Sequence, residues 1–202
     1  EGGNGVLDVL TGAVNPCGKL TDTIARDISD YPSTRNFGDD AVNVYQEDIY
    51  VGYRYFETFA KDKVLYPFGY GLSYTTFDIR PSAFSDDAQT IHADVTVTNT
   101  GTVAGKTGAQ LYVSAPQGML GKPALELKAY QKTDVLAPGS SQTLHFCVRK
   151  SEMASYDDSG ATGHKSCFVL EAGTYEINIG SDVRTLVPAG HFTVGQTTVT
   201  EV

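Results

Sequence analysis

Ile91-His92-Ala93-Asp94-Val95-Thr96-Val97-Thr98 alternates apolar and polar side chains without a break. Successive Cβ atoms of an extended chain point to opposite faces, so the stretch reads as a strand with one face buried and one wet. Asn99-Thr100-Gly101 closes it with turn residues. Downstream the pattern repeats in short runs: Ala109–Val113, Leu125–Val135, Cys167–Leu170, Gly173–Ile179 and His191–Val194. Thr143–Arg149 alternates through Leu144, Phe146 and Val148, after a turn at Ala137-Pro138-Gly139-Ser140. Seven or more short strands separated by turn signals predict a mainly β protein built on an antiparallel sandwich. Tyr175, just after Ala172-Gly173-Thr174, resembles the corner tyrosine of such sandwiches.

Upstream the texture changes. Val6, Leu7 and Leu10 recur at helical spacing, which predicts a helix over about Asn4–Thr11, with Asn4 as N-cap and Gly12 in a left-handed cap. A helix of about ten residues is marginal alone in water, so its apolar stripe needs a partner. Residues 21–43 are polar and turn-rich and read as an ordered loop lying on another body. Ile49–Phe56 fits both helical and alternating patterns, and its local structure stays open. Tyr66-Pro67-Phe68-Gly69-Tyr70-Gly71 is irregular, because proline lacks a donor and the glycines favour unusual dihedrals. The aromatic-rich stretch 44–77 reads as a packed connector, each ring giving apolar area and each tyrosine a hydroxyl. The boundary expected from texture lies at 74, giving segments 1–74 and 75–202. The first segment reads as the edge of a larger α/β domain, and the start at Glu1, without Met, looks cut.

Two stretches carry a family resemblance. One comprises Tyr45, Glu47, Ile49, Val51-Gly52-Tyr53-Arg54-Tyr55-Phe56 and Pro67-Phe68-Gly69-Tyr70-Gly71-Leu72-Ser73-Tyr74-Thr75. The other is Asp8-Val9-Leu10-Thr11-Gly12-Ala13-Val14-Asn15-Pro16-Cys17-Gly18-Lys19-Leu20, with Cys17 where the family usually has Ser. Together they resemble glycoside hydrolase family 3, the β-glucosidase and β-xylosidase family, where its second domain ends and a fibronectin type III-like domain begins. The resemblance implies a fibronectin type III-like β-sandwich over 75–202, preceded by a helix-and-loop segment from the edge of an α/β sandwich domain. It also implies a parent enzyme that retains configuration and releases terminal non-reducing β-glucosyl residues without metal or organic cofactor. The implied partners are the catalytic barrel and α/β domain of the same enzyme and a β-glucoside substrate, with a homo-oligomer left open. A non-catalytic sandwich module that binds carbohydrate or protein is the alternative reading.

The chemistry-bearing residues point the same way. Glycoside hydrolysis ordinarily uses two carboxyl groups across the scissile bond. Glu47 and Asp48 are sequence neighbours that point apart, and Asp39-Asp40, Asp86-Asp87 and Asp157-Asp158 read as solvated turn residues. By resemblance, the nucleophile lies in a barrel segment resembling Ser-Asp-Trp, and this chain has no Trp. Glu1 looks like the Glu of a Gly-Gln-Glu element and does not match the family's acid/base motif. Catalytic, substrate-binding and metal-binding residues are therefore all expected to be none. Ser33 and Ser73 lack a nucleophile-elbow context, and Gly69-Tyr70-Gly71 lacks the helix and third glycine of a phosphate loop. Cys17 reads as a small packing residue rather than a reactive thiol. Arg54, between Tyr53 and Tyr55, is expected either to stack on, or bind a carboxylate of, a domain outside the chain, or to lie exposed.

Charge sets further bounds. A net charge of −9 argues against nucleic acid, which needs a basic stripe to replace phosphate counterions. Cys17, Cys147 and Cys167 are odd in number and widely spaced, so they form no disulfide framework, although a Cys147–Cys167 bridge is left open; a reducing, cytoplasmic setting is favoured. His92, His145, His164 and His191 supply no metal-ligand spacing. No apolar run reaches the length of a membrane span.

Overall fold

The computed structural model describes residues 1–38 and 41–201. Helix α1 covers Gly2–Leu10. It starts before Asn4, whose amide donates to the Glu1 carbonyl at 3.1 Å, so Asn4 lies inside the helix and Glu1 occupies the N-cap position. At the other end Gly12 takes φ +78, the left-handed conformation expected after a helix end.

The stretch 21–43 holds more structure than a loop. Strand β1 (Ile24–Ala25) and two single-turn helices, Ile28–Asp30 and Pro32–Arg35, lie within it. The Tyr31 hydroxyl donates to the Thr23 carbonyl and accepts from the Ala25 amide, both at 2.9 Å, which folds the segment back on itself. Helix α2 (Tyr53–Phe59) resolves the ambiguous stretch: Gly52, at φ +58, turns the chain into it, while Ile49–Val51 stays irregular. Strand β2 (Val64–Tyr66) then pairs antiparallel with β1. Phe56, Ala25, Ala60 and Val64 form a small core, closed by Tyr31 edge-on to Phe56 at 5.4 Å.

The sandwich begins with β3 (Phe77–Asp86), β4 (Thr90–Asn99), β5 (Gly108–Ser114) and β6 (Glu126–Lys132). It continues with β7 (Ser141–Arg149), β8 (Ser155–Asp157), β9 (Cys167–Leu170), β10 (Gly173–Gly180), β11 (Leu186–Val194) and β12 (Thr198–Glu201). One sheet has the order β3-β4-β7, the facing one β11-β10-β5-β6, and a small third sheet β12-β9-β8. The alternation in β4 decides the packing: Ile91, Ala93, Val95 and Val97 are buried against Leu144, Phe146 and Val148 of β7 and against Leu111, Val113, Ile177 and Ile179 of the facing sheet. Pro81 sits on edge strand β3 beside a register shift, where its missing donor costs no ladder bond. Gly190 lets β11 close over Phe84, whose ring would lie 2.4 Å from an added Cβ.

Strands β8 and β12 have no counterpart in the sequence reading, because three- and four-residue polar runs carry too little periodicity to register. Tyr175 does act as a corner: it is fully buried and its hydroxyl donates to the Glu171 carbonyl at 3.0 Å.

Candidate functional site

The two parts of the chain meet along α2. Tyr53 packs on Phe68 and Tyr112, and its hydroxyl accepts from the Leu127 amide at 2.9 Å. Thr58 accepts from the Ala124 amide at 3.0 Å, and Arg184 bonds the buried Glu57 carboxylate at 2.9 Å. Asn15 joins the end of α1 to both sides of the junction. Its Oδ1 accepts from the Ser73 hydroxyl at 3.0 Å and the Tyr74 amide at 2.9 Å, while its Nδ2 donates to the Ala104 carbonyl at 3.2 Å. An added Cβ on Gly105 would meet that Nδ2 at 2.3 Å, so glycine is needed for the approach. Asn15 and Asn99 both read as turn residues in sequence, yet Asn99 is fully buried and bonds Thr75, Val103 and Leu136. The signal was slight: Asn15 precedes Pro16, and Asn99 lies two residues before Gly101.

Most exposed large apolar side chains lie in the first part of the chain. Val6, Leu7 and Leu10 of α1 point to solvent, Leu10 at 71% exposure, as do Phe37 at 90% and Tyr45 at 91%. Val42, Val44, Ile49, Val51, Phe59 and Leu72 extend the apolar surface. Single exposed apolar residues are ordinary, but a concentration of this kind marks an interaction surface. Within it lies a hollow of about 580 Å³ lined by Tyr31, Glu47, Tyr50, Tyr55, Phe59 and Lys63. Lys63 is paired with Asp30 at 3.2 Å, and Tyr50 meets Phe59 edge-on at 4.9 Å.

Of the carboxylates singled out in the sequence, those of Asp86, Asp87 and Asp157 take part in holding the fold. Glu47 accepts the Tyr50 amide at its carbonyl in a tight turn whose next residue, Asp48, has φ +51. Asp86 is paired with Lys150 at 2.6 Å, and Asp87 accepts the Gln89 and Thr90 amides, each at 2.8 Å. Asp158 is exposed, whereas Asp157 departs from the solvated reading: it is fully buried, and its carboxylate accepts from Ser159, Gly160, Ala161 and both the amide and hydroxyl of Thr162. The Thr162 amide leads these donors in holding the Asp157 carboxyl far below the usual carboxylate range, against the burial that opposes it. Asp39 and Asp40 lie outside the described residues.

Arg54 finds its carboxylate inside this chain, with Nη2 3.7 Å from Glu126 Oε1, and remains 39% exposed. Helix α2 leans on β6, so the sandwich supplies the carboxylate that one of the two readings of Arg54 placed on a separate domain, while the side chain keeps part of the exposure that the other expected. All three cysteines are free: Cys147 is exposed on β7, and Cys167 is buried on β9, where burial pushes its thiol up. Cys17 lines a separate hollow beside Lys19 and Leu72. Among the described residues no helix is long and apolar enough to cross a membrane.

Comparison with known proteins accounts for both parts. Residues 1–74 match the glycosyl hydrolase family 3 C-terminal domain, and residues 108–183 match a fibronectin type III-like domain. The chain is 52% identical to a beta-glucosidase of Ruminococcus albus over 99% of its own length and 21% of that protein. It is 51% identical to beta-glucosidase A of Butyrivibrio fibrisolvens, over 91% of this chain and 24% of the relative. A solved beta-glucosidase from Paenibacillus barengoltzii superposes with a TM-score of 0.95 at 51% identity, covering 99% of this chain and 23% of that one. Beta-glucosidase 3B from Thermotoga neapolitana, solved with glucose, gives 0.88 at 42% identity, over 98% of this chain and 27% of its own. The chain thus spans about a fifth to a quarter of the length of the relatives it matches. With a family 3 C-terminal domain joined through α2 to a fibronectin type III-like sandwich, the chain belongs to glycoside hydrolase family 3.

Proposed function

We propose that this chain is the scaffolding C-terminal portion of a retaining β-glucosidase that hydrolyses terminal non-reducing β-glucosyl residues. The observation that carries the reading is the 52% identity to a beta-glucosidase along almost the whole chain. The uncovered apolar surface of α1 and residues 42–51 supports it, since a catalytic barrel and the rest of an α/β domain would bury that face. The division of labour falls at residue 74: residues 1–74 complete the α/β domain, and residues 75–202 form the sandwich that braces it through α2. The catalytic carboxyl pair belongs to the other domains, and this chain supplies no catalytic or sugar-gripping residue of its own. Two carboxyl groups suffice for the reaction, so no cofactor is assigned to it.

Hydrolysis of p-nitrophenyl β-D-glucopyranoside tests the reading. The 202-residue chain alone is expected to be inactive, and mixing it with the remainder of the enzyme is expected to restore turnover. Turnover by the pure chain overturns the assignment of catalysis elsewhere. Full activity of the remainder without this chain overturns the scaffolding role.

A further inference from the structure

Helix α1 opens on a run of poor helix formers, Gly2-Gly3-Asn4-Gly5. Glycine loses more backbone freedom than any other residue when a helix forms, and asparagine also ranks low. Glu1, at the N-cap position, makes no side-chain cap bond, and no residue of the helix is buried. The Asn4 and Gly5 amides share the Glu1 carbonyl, at 3.1 and 3.2 Å. Helices fray from their ends, and short ones depend on packing. With neither a side-chain cap nor a packed face, the first turn of α1 opens readily.

That turn holds the one Asn-Gly pair of the sequence. Asn15 is followed by Pro16, whose nitrogen carries no hydrogen, while Asn36, Asn43, Asn99 and Asn178 are followed by Phe, Val, Thr and Ile. Only before glycine is the next main-chain nitrogen unobstructed by a Cβ, and that nitrogen is the nucleophile that can reach an asparagine side chain. Asn4 and Gly5 are both exposed, so solvent has access to them.

We propose that Asn4 is a site of spontaneous deamidation, reached when the first turn of α1 frays. The Gly5 amide nitrogen attacks Cγ of Asn4 and forms a new C–N bond. The bond from Cγ to the side-chain nitrogen breaks, and that nitrogen leaves as ammonia with the proton Gly5 gave up. Water then cleaves one of the two C–N bonds of the five-membered imide, leaving aspartate or isoaspartate at position 4. No oxidant or reductant is needed. In the formed helix the Gly5 amide is bonded to Glu1, and the helical backbone of Asn4 keeps its side-chain carbonyl away from that nitrogen. Helix α1 therefore protects its own asparagine for as long as it is formed. Isoaspartate adds a carbon to the main chain and interrupts the hydrogen-bond ladder of the helix that carries Leu7 and Leu10. The inference rests on α1 itself and does not depend on the proposed function.

Incubation of the 202-residue chain in mildly alkaline buffer, followed by tryptic digestion and mass spectrometry, tests it. The peptide ending at Lys19 is expected to gain the mass of an amide-to-acid exchange and to accept methyl groups from protein isoaspartate methyltransferase. The gain should slow in acid, because the attacking nitrogen must lose its proton. Asn4→Gln should abolish it, since the longer side chain closes a less favourable six-membered ring. Gly2→Ala with Gly3→Ala should slow it by about tenfold, each exchange favouring the helix. An added Cβ at either position meets nothing within 4 Å, so both alanines fit without strain. Circular dichroism should show the fold retained in every variant. No gain in mass, a gain that persists in Asn4→Gln, or a rate that the two alanines leave unchanged overturns the proposal.

Discussion

At the scale of single residues, Asp157 shows how one carboxylate shapes a whole loop. Five donors from Ser159 to Thr162 converge on it and leave its charge needed in the folded state. A carboxyl whose folded value is depressed stabilises above its unfolded value of about 3.9, and that contribution fades as pH falls below it. Asp157→Asn should therefore lower the melting temperature at pH 7, because the amide nitrogen faces donors where an oxygen accepted. The gap between variant and parent should narrow as pH falls from about 4 toward 2. Melting curves across that range check it, and a gap of constant size would disprove the charge's role. Tyr175 was legible because the corner tyrosine has one geometry and a fixed neighbourhood. Asp157 was not, since an Asp-Asp pair beside Ser and Gly reads the same whether the loop closes over it or stands open. Arg54 was half legible: its type announced a carboxylate, but which body supplied Glu126 depended on long-range packing.

At the scale of elements, the connection between β5 and β6 is held by a buried ion pair. The Lys122 ammonium bonds Glu171 and the Pro116 carbonyl, and Glu171 also accepts the Met119 amide at 2.6 Å. Burial pushes the Glu171 carboxyl up, but the hydrogen bonds from Lys122 and Met119 outweigh it, leaving it below its usual range. Gly118 lies against that carboxylate, where a Cβ would be 2.3 Å from Oε1. Removing one partner strands the other charge, so Glu171→Gln should cost about 3–5 kcal/mol, whereas Lys122→Met with Glu171→Leu should cost far less. Urea unfolding of the single and double variants checks this; equal losses would mean that the pair, rather than the stranded charge, carries the stability. The strands were the most legible elements, since alternation in β4 and β7 states which face is buried. Helix α2 was ambiguous because Tyr53–Phe59 is aromatic on several sides, and only its seat against β6 and Tyr112 selects the helix.

At the scale of the whole molecule, apolar burial is unevenly shared between the two parts of the chain. The sandwich closes its own core, whereas α1 has no buried residue and turns Leu7, at 58% exposure, and Leu10 outward. A short helix gains most of its stability from packing, and on the proposed reading the rest of the enzyme covers this stripe. Leu7→Glu with Leu10→Glu keeps good helix formers in place while charging that stripe. The isolated chain should melt within about 0.5 kcal/mol of the parent, as surface changes do. Association with the remainder of the enzyme should suffer much more. Burying a leucine is worth about 1.5–3 kcal/mol, so losing two should weaken binding by more than about 100-fold, at 1.4 kcal/mol per factor of ten. Titrating the remainder with parent and variant chains, and following recovered β-glucosidase activity, measures that loss. Recovery at the same chain concentration would show that α1 is not part of the interface, and would leave the surface around Phe37, Val44 and Tyr45 to carry the docking alone.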